Sequence, residues 1–472
     1  MLAATFMTAL DVFIVNVAMP SLQAHLRAGP SAVQWVIAAF AIALAVGLIP
    51  AGRLGDRYGR RRVFALGLGL FTLASLACGL APDPAVLIAS RVAQGVGGAL
   101  TGTQVLAVLR TRYSGPAQAR AFAMYGLTMG IGGVLGQLIG GALIQADILG
   151  LSWRTCFLIN LPVGAAALAL IPRVLPEERS PRRPRFDNPG TVLLGTALVA
   201  LVLPLIQGRA AGWPLWTWVS FAVSAAAFAG FGVHQRRLAA TGGEPILPPA
   251  LFRSRAFTLG TAAQLVFMLG QGSYFLVLAL YLQMGRGLSA LTSGLFFMAI
   301  GAGYLGTSMV AHRIEARLGR QSMAAGALLM VAGLLALWAG VRHVGDAGGS
   351  PATWWLVPGM LVDGVGMGMV LAPITGRALR EVPARLAGAA SGVLATVTQI
   401  GGALGVALIG IVFYGALGTG AGAGHAGQVE RVAPAPYAHA FEPSLIALTA
   451  GELLLALLVQ FLPRDGAETP AS

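Results

Sequence analysis

The chain has 472 residues, of which 56% are hydrophobic and only 10% are charged. A soluble domain carries about a quarter charged residues, so this composition excludes a soluble protein and indicates an integral membrane protein. The formal net charge of +14 comes from arginine alone, because the sequence contains no lysine. Arginines beside apolar segments usually set membrane topology. We therefore expect membrane lipid around the chain and no nucleic acid as a partner.

Fourteen segments are apolar over about the 20 residues that a helix needs to cross the hydrocarbon layer. Eight of them lie at 2–22, 32–51, 63–81, 85–109, 121–144, 154–172, 190–207 and 214–234. The other six lie at 256–282, 291–311, 323–341, 353–374, 387–414 and 443–462. The first has no basic segment before it, so we expect a retained span and not a cleaved signal peptide. An even number of spans places both termini on the same side.

Arginines are distributed unevenly between the connections. Those after odd-numbered spans hold six, namely Arg27, Arg154, Arg209, Arg286, Arg342 and Arg431, whereas those after even-numbered spans hold 23. The positive-inside rule therefore places the even-numbered connections and both termini in the cytoplasm.

The sequence also resembles itself. GGVLGQLIGG at 132–141 returns as GGALGVALIG at 401–410, and the Arg53–Arg60 block returns faintly as HRIEARLGRQ at 312–321. Internal repeats are typical of secondary transporters. We expect an all-α membrane protein of two pseudo-symmetric six-helix bundles, with two helices inserted between them. The boundaries are 1–172 and 256–472 for the bundles, 173–189 for a cytoplasmic linker, 190–235 for the inserted helices and 415–442 for an outer loop.

Four motifs point to one family. GRLGDRYGRRRVF at 52–64 matches the loop pattern G-x-x-x-D-x-x-G-R-R. The other three resemble the family's helix 1, its helix 4 motif and the start of its helix 6, and they are LDVFIVNVAMPSL at 10–22, LIASRVAQGVGGAL at 87–100 and SWRTCFLINLPVG at 152–164. In these the chain resembles the fourteen-helix drug:proton antiporter branch of the major facilitator superfamily. The resemblance implies a monomeric multi-pass transporter of the bacterial cell membrane. It would exchange inward-moving protons for an amphipathic, drug-like or antibiotic small molecule.

Two rival functions stay open. One is a uniporter or importer of a sugar or metabolite with the same fold, and the other is an integral-membrane enzyme or sensor. The second needs a reactive constellation, and the sequence offers no metal-spaced His/Cys cluster, no phosphate-binding glycine loop with its lysine and no nucleophile elbow. We therefore expect no enzyme, metal or cofactor, and a proton gradient as the energy source. Cys78 and Cys156 lie in apolar runs, so no disulfide framework is expected.

The family's loop motif is expected to act as a conformational latch, formed by Gly52, Asp56, Gly59, Arg60 and Arg61. The glycines would allow tight turns, and Asp56 would either cap helix 3 or accept hydrogen bonds from nearby arginines. The resemblance implies that this loop braces the outward-facing state against the start of helix 13, near 386–390. The simpler alternative is that the arginines only set topology.

Helix 5 is expected to pack closely through the antiporter motif, at Gly132, Gly136, Gln137, Gly140 and Gly141. The family has proline where this chain has Gln137, which leaves antiport less certain than the other motifs suggest.

Ionisable residues inside membrane spans usually have a function. Asp11 lies near the middle of helix 1, and Arg91 of helix 4 is its expected neighbour, so this pair is the predicted proton-coupling site. Asp363 in helix 12 is either a second protonation site or a counter-charge for a cationic substrate. A structural role is the alternative for each. Glu452 lies in a helix expected to be peripheral, and its role stays open.

Aromatic and amide side chains in three helices are the predicted substrate contacts. They are Trp35, Phe40, Gln94, Gln264, Gln271, Tyr274 and Phe275. Ordinary helix packing is the alternative for each of them.

Overall fold

The computed structural model describes residues 1–175, 177, 186–344, 351–383, 386–418 and 434–463, and every regular element in these ranges is helical. The helices are α1 (Leu2–Leu26), α2 (Pro30–Tyr58), α3 (Arg60–Leu80), α4 (Pro84–Arg112), α5 (Gly115–Ala146), α6 (Thr155–Leu158), α7 (Asn160–Val174), α8 (Asn188–Gln207), α9 (Leu215–Ala240), α10 (Arg255–Leu280), α11 (Ala290–Ser308), α12 (Ala311–Leu318), α13 (Gln321–Val344), α14 (Val357–Arg380), α15 (Ala387–Ala416) and α16 (Pro434–Gln460). Parts of the predicted 173–189 linker and 415–442 loop lie outside the described residues.

Fourteen helical segments of the described chain are long and apolar enough to cross a membrane. This confirms the predicted number of spans. α6 and α7 together form span 6, and α12 is too short to count as a span. The domain boundaries and the side on which the termini lie stay predictions. We call α1–α7 the N-terminal bundle, α10–α16 the C-terminal bundle, and the side of the α2–α3 junction the arginine-rich side.

The prediction of a glycine-rich loop at 52–64 is wrong, because these residues are helical except at Gly59. α2 continues through Tyr58 and α3 begins at Arg60. Only Gly59 leaves the helical conformation, with φ 105°. Arginine is a good helix former, so α2 extends beyond its apolar segment. Gly55 serves packing, because a Cβ there would overlap the side-chain amide of Gln104 on α4.

The repeated glycine motif packs in the same way in both bundles. On α5, a Cβ at Gly132 would lie 2.8 Å from Ala9 Cβ of α1. On α15, a Cβ at Gly401 would lie 2.6 Å from Met268 Cβ of α10. These distances are shorter than real Cβ contacts, so only glycine permits the approach. The sequence repeat is therefore also a repeat of helix packing.

α5 and α11 join the two bundles along most of α11. A Cβ at Gly294 of α11 would lie 2.7 Å from the Gln137 carbonyl oxygen of α5. Nearer the arginine-rich side, a Cβ at Gly130 of α5 would lie 3.3 Å from Leu305 Cδ2 of α11. The two helices are therefore in contact from the first turn of α11 to its last.

The inserted helices α8 and α9 form a hairpin beside the bundles. α8 packs against both bundles, since Leu198 belongs to one apolar cluster with Ile42 of α2 and Ala407 of α15. α9 packs on α8, where Ser224 Oγ donates a hydrogen bond to the Ala197 carbonyl at 2.8 Å.

Asp187 closes the arginine-rich end of this hairpin. Its Oδ1 accepts from the Gly190 amide at 2.9 Å and lies 2.6 Å from His234 Nε2, and its Oδ2 accepts from Gln235 Nε2 at 2.7 Å. Burial raises the pKa of the Asp187 carboxyl, but the hydrogen bonds from Gln235, His234 and Gly190 lower it by more, so that pKa lies below its ordinary value. The carboxylate thus fastens the start of α8 to α9.

Candidate functional site

A buried carboxylate lies at the centre of the N-terminal bundle. Asp11 of α1 is 0% exposed, and both of its oxygens accept hydrogen bonds. Oδ2 is 2.5 Å from Arg91 Nη1, while Oδ1 accepts from Gln94 Nε2 at 2.7 Å and from Asn160 Nδ2 at 2.9 Å. Side chains from α4 and α7 therefore converge on this one carboxylate, and the predicted Asp11–Arg91 pair is present.

Arg91 has further partners besides Asp11. Its Nε donates to the Val36 carbonyl of α2 at 3.0 Å, and its Nη1 also donates to Gln94 Oε1 at 2.6 Å. The guanidinium carbon lies 4.1 Å from the ring centroid of Phe40, within the range of a cation–π interaction. Phe40 and Gln94, both predicted as substrate contacts, are thus placed around Arg91 in this conformation.

Two members of the cluster were missed from the sequence, Ser75 and Asn160. Ser75 Oγ of α3 accepts from Gln94 Nε2 at 2.8 Å and from Asn160 Nδ2 at 3.3 Å. Asn160 lies within SWRTCFLINLPVG, where a polar side chain in an apolar run was an available signal. Ser75 had no comparable signal, because serine is common inside membrane helices. The cluster therefore links α1, α2, α3, α4 and α7.

This arrangement suits a reversible change of charge. A buried ion pair that loses one partner leaves an uncompensated charge, which costs about 3–5 kcal/mol. If Asp11 takes up a proton, however, Arg91 still has the Val36 carbonyl and Gln94 Oε1 as neutral acceptors. The Asp11 carboxylate can therefore be neutralised while the Arg91 guanidinium keeps two hydrogen-bond acceptors.

The predicted latch residues lie at the α2–α3 junction. Of the two roles expected for Asp56, the structure shows acceptance from an arginine, with Asp56 Oδ1 at 3.1 Å from Arg60 Nη2, whereas Gly59 takes the N-cap position of α3. Arg60 Nη1 also donates to Thr111 Oγ1 of α4 at 2.8 Å. Arg61 lies 3.6 Å from Glu177. Among the described residues, Asp56 makes its ion pair with Arg60 and not with α15.

The other predicted substrate contacts fall in two places. Four of them lie on α10. Three of these have a buried atom without a hydrogen-bond partner in the described structure, namely Gln264 Oε1, Gln271 Oε1 and Tyr274 OH. The fourth, Phe275, makes an edge-on contact with Phe13 of α1 at a centroid distance of 5.4 Å. Phe275 thus lies where the two bundles meet. Trp35 lines a separate apolar groove of about 520 Å³ between α2, α4 and α8. The structure therefore does not bring Trp35 together with the α10 residues.

Gln137 lies in the contact between α5 and α11. It is buried, and neither its Nε2 nor its Oε1 has a hydrogen-bond partner in the described structure. Gly136 and Gly140 instead pack on α1, and Gly141 packs on Ala290 of α11. The motif thus packs α5 against α1 on one side and against α11 on the other.

Comparison with known proteins decides the family. The sequence profile of the Major Facilitator Superfamily matches residues 1–406. The chain belongs to this superfamily. It is therefore a multi-pass membrane transporter and not an enzyme, as the sequence motifs predicted.

Relatives of this transporter have names that refer to antibiotics. The probable actinorhodin transporter of Streptomyces coelicolor is 38% identical over 89% of this chain and 72% of its own length. The puromycin resistance protein pur8 of Streptomyces alboniger is 35% identical over 88% and 81%, respectively. A solved D-xylose-proton symporter matches 99% of this chain and 98% of its own with a TM-score of 0.67, at 15% identity. That last likeness supports the fold alone.

Proposed function

We propose that this transporter exports drug-like or antibiotic small molecules across the bacterial cell membrane in exchange for protons, working as a monomer by alternating access. The names of its relatives support the substrate class. The observation that carries the coupling is the buried Asp11 carboxylate with Arg91, Gln94 and Asn160 as donors. A proton that binds Asp11 removes the negative charge that Arg91 faces, so its arrival weakens the ion pair that joins α1 to α4.

The latch residues fit one state of such a cycle. In the described state Asp56 pairs with Arg60. The brace between the α2–α3 junction and the start of α15 would form in another state.

The proton gradient supplies enough free energy for uphill export. One charge that moves across 100 mV supplies about 2.3 kcal/mol. At about 1.4 kcal/mol per tenfold, this concentrates a neutral substrate roughly 45-fold.

Inside-out vesicles test the proposal and its same-fold rival. We expect vesicles that contain the protein to accumulate puromycin, or another antibiotic from a mixed panel, when a proton gradient is imposed. A protonophore should abolish the accumulation. Gln137, which replaces the motif's proline, keeps a uniporter or importer as the second candidate. Uptake that proceeds at the same rate with or without the gradient would support that candidate.

A further inference from the structure

The inserted hairpin of α8 and α9 is fastened to the N-terminal bundle by hydrogen bonds at both of its ends. At the end away from the arginine-rich side, Ser31 Oγ of α2 donates to the Ile206 carbonyl of α8 at 3.2 Å. This carbonyl lies in the last turn of α8, where a helix leaves its carbonyls without intrahelical partners. Ser31 therefore supplies a donor that the end of α8 needs, and it fixes the position of α8 along α2.

At the arginine-rich side, the fastening passes through the connection between α9 and α10. Arg53 Nη2 of α2 donates to the carbonyls of Glu244 and Pro245, at 2.7 and 3.2 Å. Two residues further on, the Leu247 amide donates to Gln235 Oε1 of α9 at 3.0 Å. Since Gln235 also donates to the carboxylate at the start of α8, Arg53 holds a connection that is itself bound to both helices of the hairpin.

The hairpin meets the C-terminal bundle in a different way. Leu198 and Val202 of α8 belong to one apolar cluster with Ala403 and Ala407 of α15. Within the described ranges, the hydrogen bonds of α8 and α9 go to each other, to α2 and to the α9–α10 connection, and none goes to α10–α16. Apolar contacts have no preferred direction, and alanine presents only a methyl group. α15 can therefore shift along α8 without breaking a hydrogen bond.

The connection passes from one bundle to the other directly after Leu247. Leu247 borders the apolar cluster of the hairpin and also that of the C-terminal bundle. Leu251 is 2% exposed and packs in the second cluster, together with Phe257 of α10 and Ala378 of α14. Residues 248–250 are therefore the short segment that joins the fastened hairpin to the C-terminal bundle.

We propose that the hairpin moves as one body with the N-terminal bundle, while α15 slides along α8 and residues 248–250 act as the hinge. Sliding of packed helices and bending at a few connecting residues are the usual elements of such movements. The two moving bodies then have eight and six of the fourteen spans. Arg53 is a positioning residue, because it acts through the α9–α10 connection. The movement rests on the proposed function, whereas the fastening does not.

Distances between spin labels in the full-length protein in liposomes test the movement. Ala239→Cys at the end of α9, Ser114→Cys at the start of α5 and Ala316→Cys on α12 would place labels at exposed positions. The native cysteines are buried. Pairwise distances are measured by pulsed electron–electron double resonance in acid and at neutral pH, with and without puromycin. When the distance from 114 to 316 shifts, the distance from 239 to 316 should shift with it, and that from 239 to 114 should stay constant.

Two outcomes of this measurement overturn the proposal. A hairpin that keeps its distance to 316 while its distance to 114 shifts belongs to the C-terminal bundle. A hairpin that shifts against both labels moves independently. If the distance from 114 to 316 is constant under all conditions, the movement and the proposed alternating access both fail, and the fastening is decided by the variants below.

Arg53→Ala tests the fastening without any need for transport. It should broaden the distribution of distances between the labels at 239 and 114, and Ser31→Ala added to it should broaden that distribution further. Arg53→Lys keeps a donor and should restore a narrower distribution. Arg62→Ala is the matched control, since it removes an exposed arginine of α3 that makes its ion pair with Glu177. A wild-type distribution in the double variant contradicts the fastening, and a distribution that Arg62→Ala broadens equally denies Arg53 its specific role.

Discussion

Arg91 donates to Asp11 at 2.5 Å inside the membrane, and the two residues are 1% and 0% exposed. They are 80 positions apart in sequence and lie on different helices. An ion pair so deeply buried has a high cost of desolvation, and it stabilises a protein only when both partners are present. The pair therefore makes the N-terminal bundle sensitive to the loss of Arg91, the cation beside the Asp11 carboxylate.

The first prediction concerns this sensitivity. Arg91→Ala should lower the free energy of unfolding in detergent by about 3–5 kcal/mol, because it leaves the Asp11 charge without its cation. The double variant Asp11→Asn with Arg91→Ala should recover part of that loss, since it removes both charges. Thermal unfolding of the four proteins in a double-mutant cycle measures the coupling. Additive losses would mean that the pair has no mutual stabilisation.

The second prediction concerns the latch. Asp56→Asn should leave membrane insertion and folding unchanged, because Asp56 lies at the surface of the α2–α3 junction with its side chain 36% exposed. It should nevertheless slow transport, since it would weaken the brace formed in the other state. Transport rates in vesicles with equal protein content measure the effect. Arg62→Gln, which changes a neighbouring arginine outside the motif, is the matched control. A wild-type rate for Asp56→Asn would remove the latch from the account.

Some features of the fold and of the site could be predicted from the sequence, and others could not. Span positions follow from apolar length, and the glycine motif of α5 predicts close helix packing, so both could be read directly. The pairing of Asp11 with Arg91 was also predictable, because two opposite charges inside a membrane need each other. Ser75 and Asn160 were not found, since polar residues of moderate size are common in membrane helices and only the fold brings these two to Asp11.

Two other differences have physical causes of their own. The 52–64 block was interpreted as a loop because glycine often marks turns, yet Gly55 accommodates Gln104 and only Gly59 has a positive φ. The side chain of Glu452 points towards α10, although α16 was expected to be peripheral. This direction depends on the rotation of α16 about its own axis. A helix that is apolar on nearly all faces gives no periodicity from which this rotation can be derived.

The third prediction concerns acid and the inserted hairpin. The pKa of Asp187 is lower in the folded protein than its ordinary value of 3.8. Its contribution to stability is therefore complete above that ordinary value and is lost as the pH falls through the lower, folded value. Asp187→Asn should destabilise the hairpin at neutral pH and should reduce the further loss of stability in acid. Limited proteolysis at α8 and α9 across this pH range measures it. Identical acid profiles for wild type and variant would contradict the assignment.

The fourth prediction concerns topology. A single cysteine introduced within 173–189 should react with an impermeant maleimide only from the cytoplasm, and one within 415–442 only from outside. The native Cys78 and Cys156 are buried and should stay unlabelled. Labelling of intact cells reaches the outer face of the membrane, and labelling of inside-out vesicles reaches the cytoplasmic face. Reaction from the opposite faces would invert the orientation.

Proton-driven export by Asp11→Asn tests the central claim most directly. Asparagine keeps the shape and much of the hydrogen bonding of aspartate but cannot carry the proton. The variant should bind an exported antibiotic within about tenfold of the wild type, or roughly 1.4 kcal/mol. In vesicles with an imposed proton gradient, it should show no accumulation of that antibiotic and no proton movement coupled to it. If Asp11→Asn still accumulates the antibiotic against its gradient in a pH-dependent manner, Asp11 is structural and the coupling proton is carried elsewhere, with Asp363 as the leading carrier.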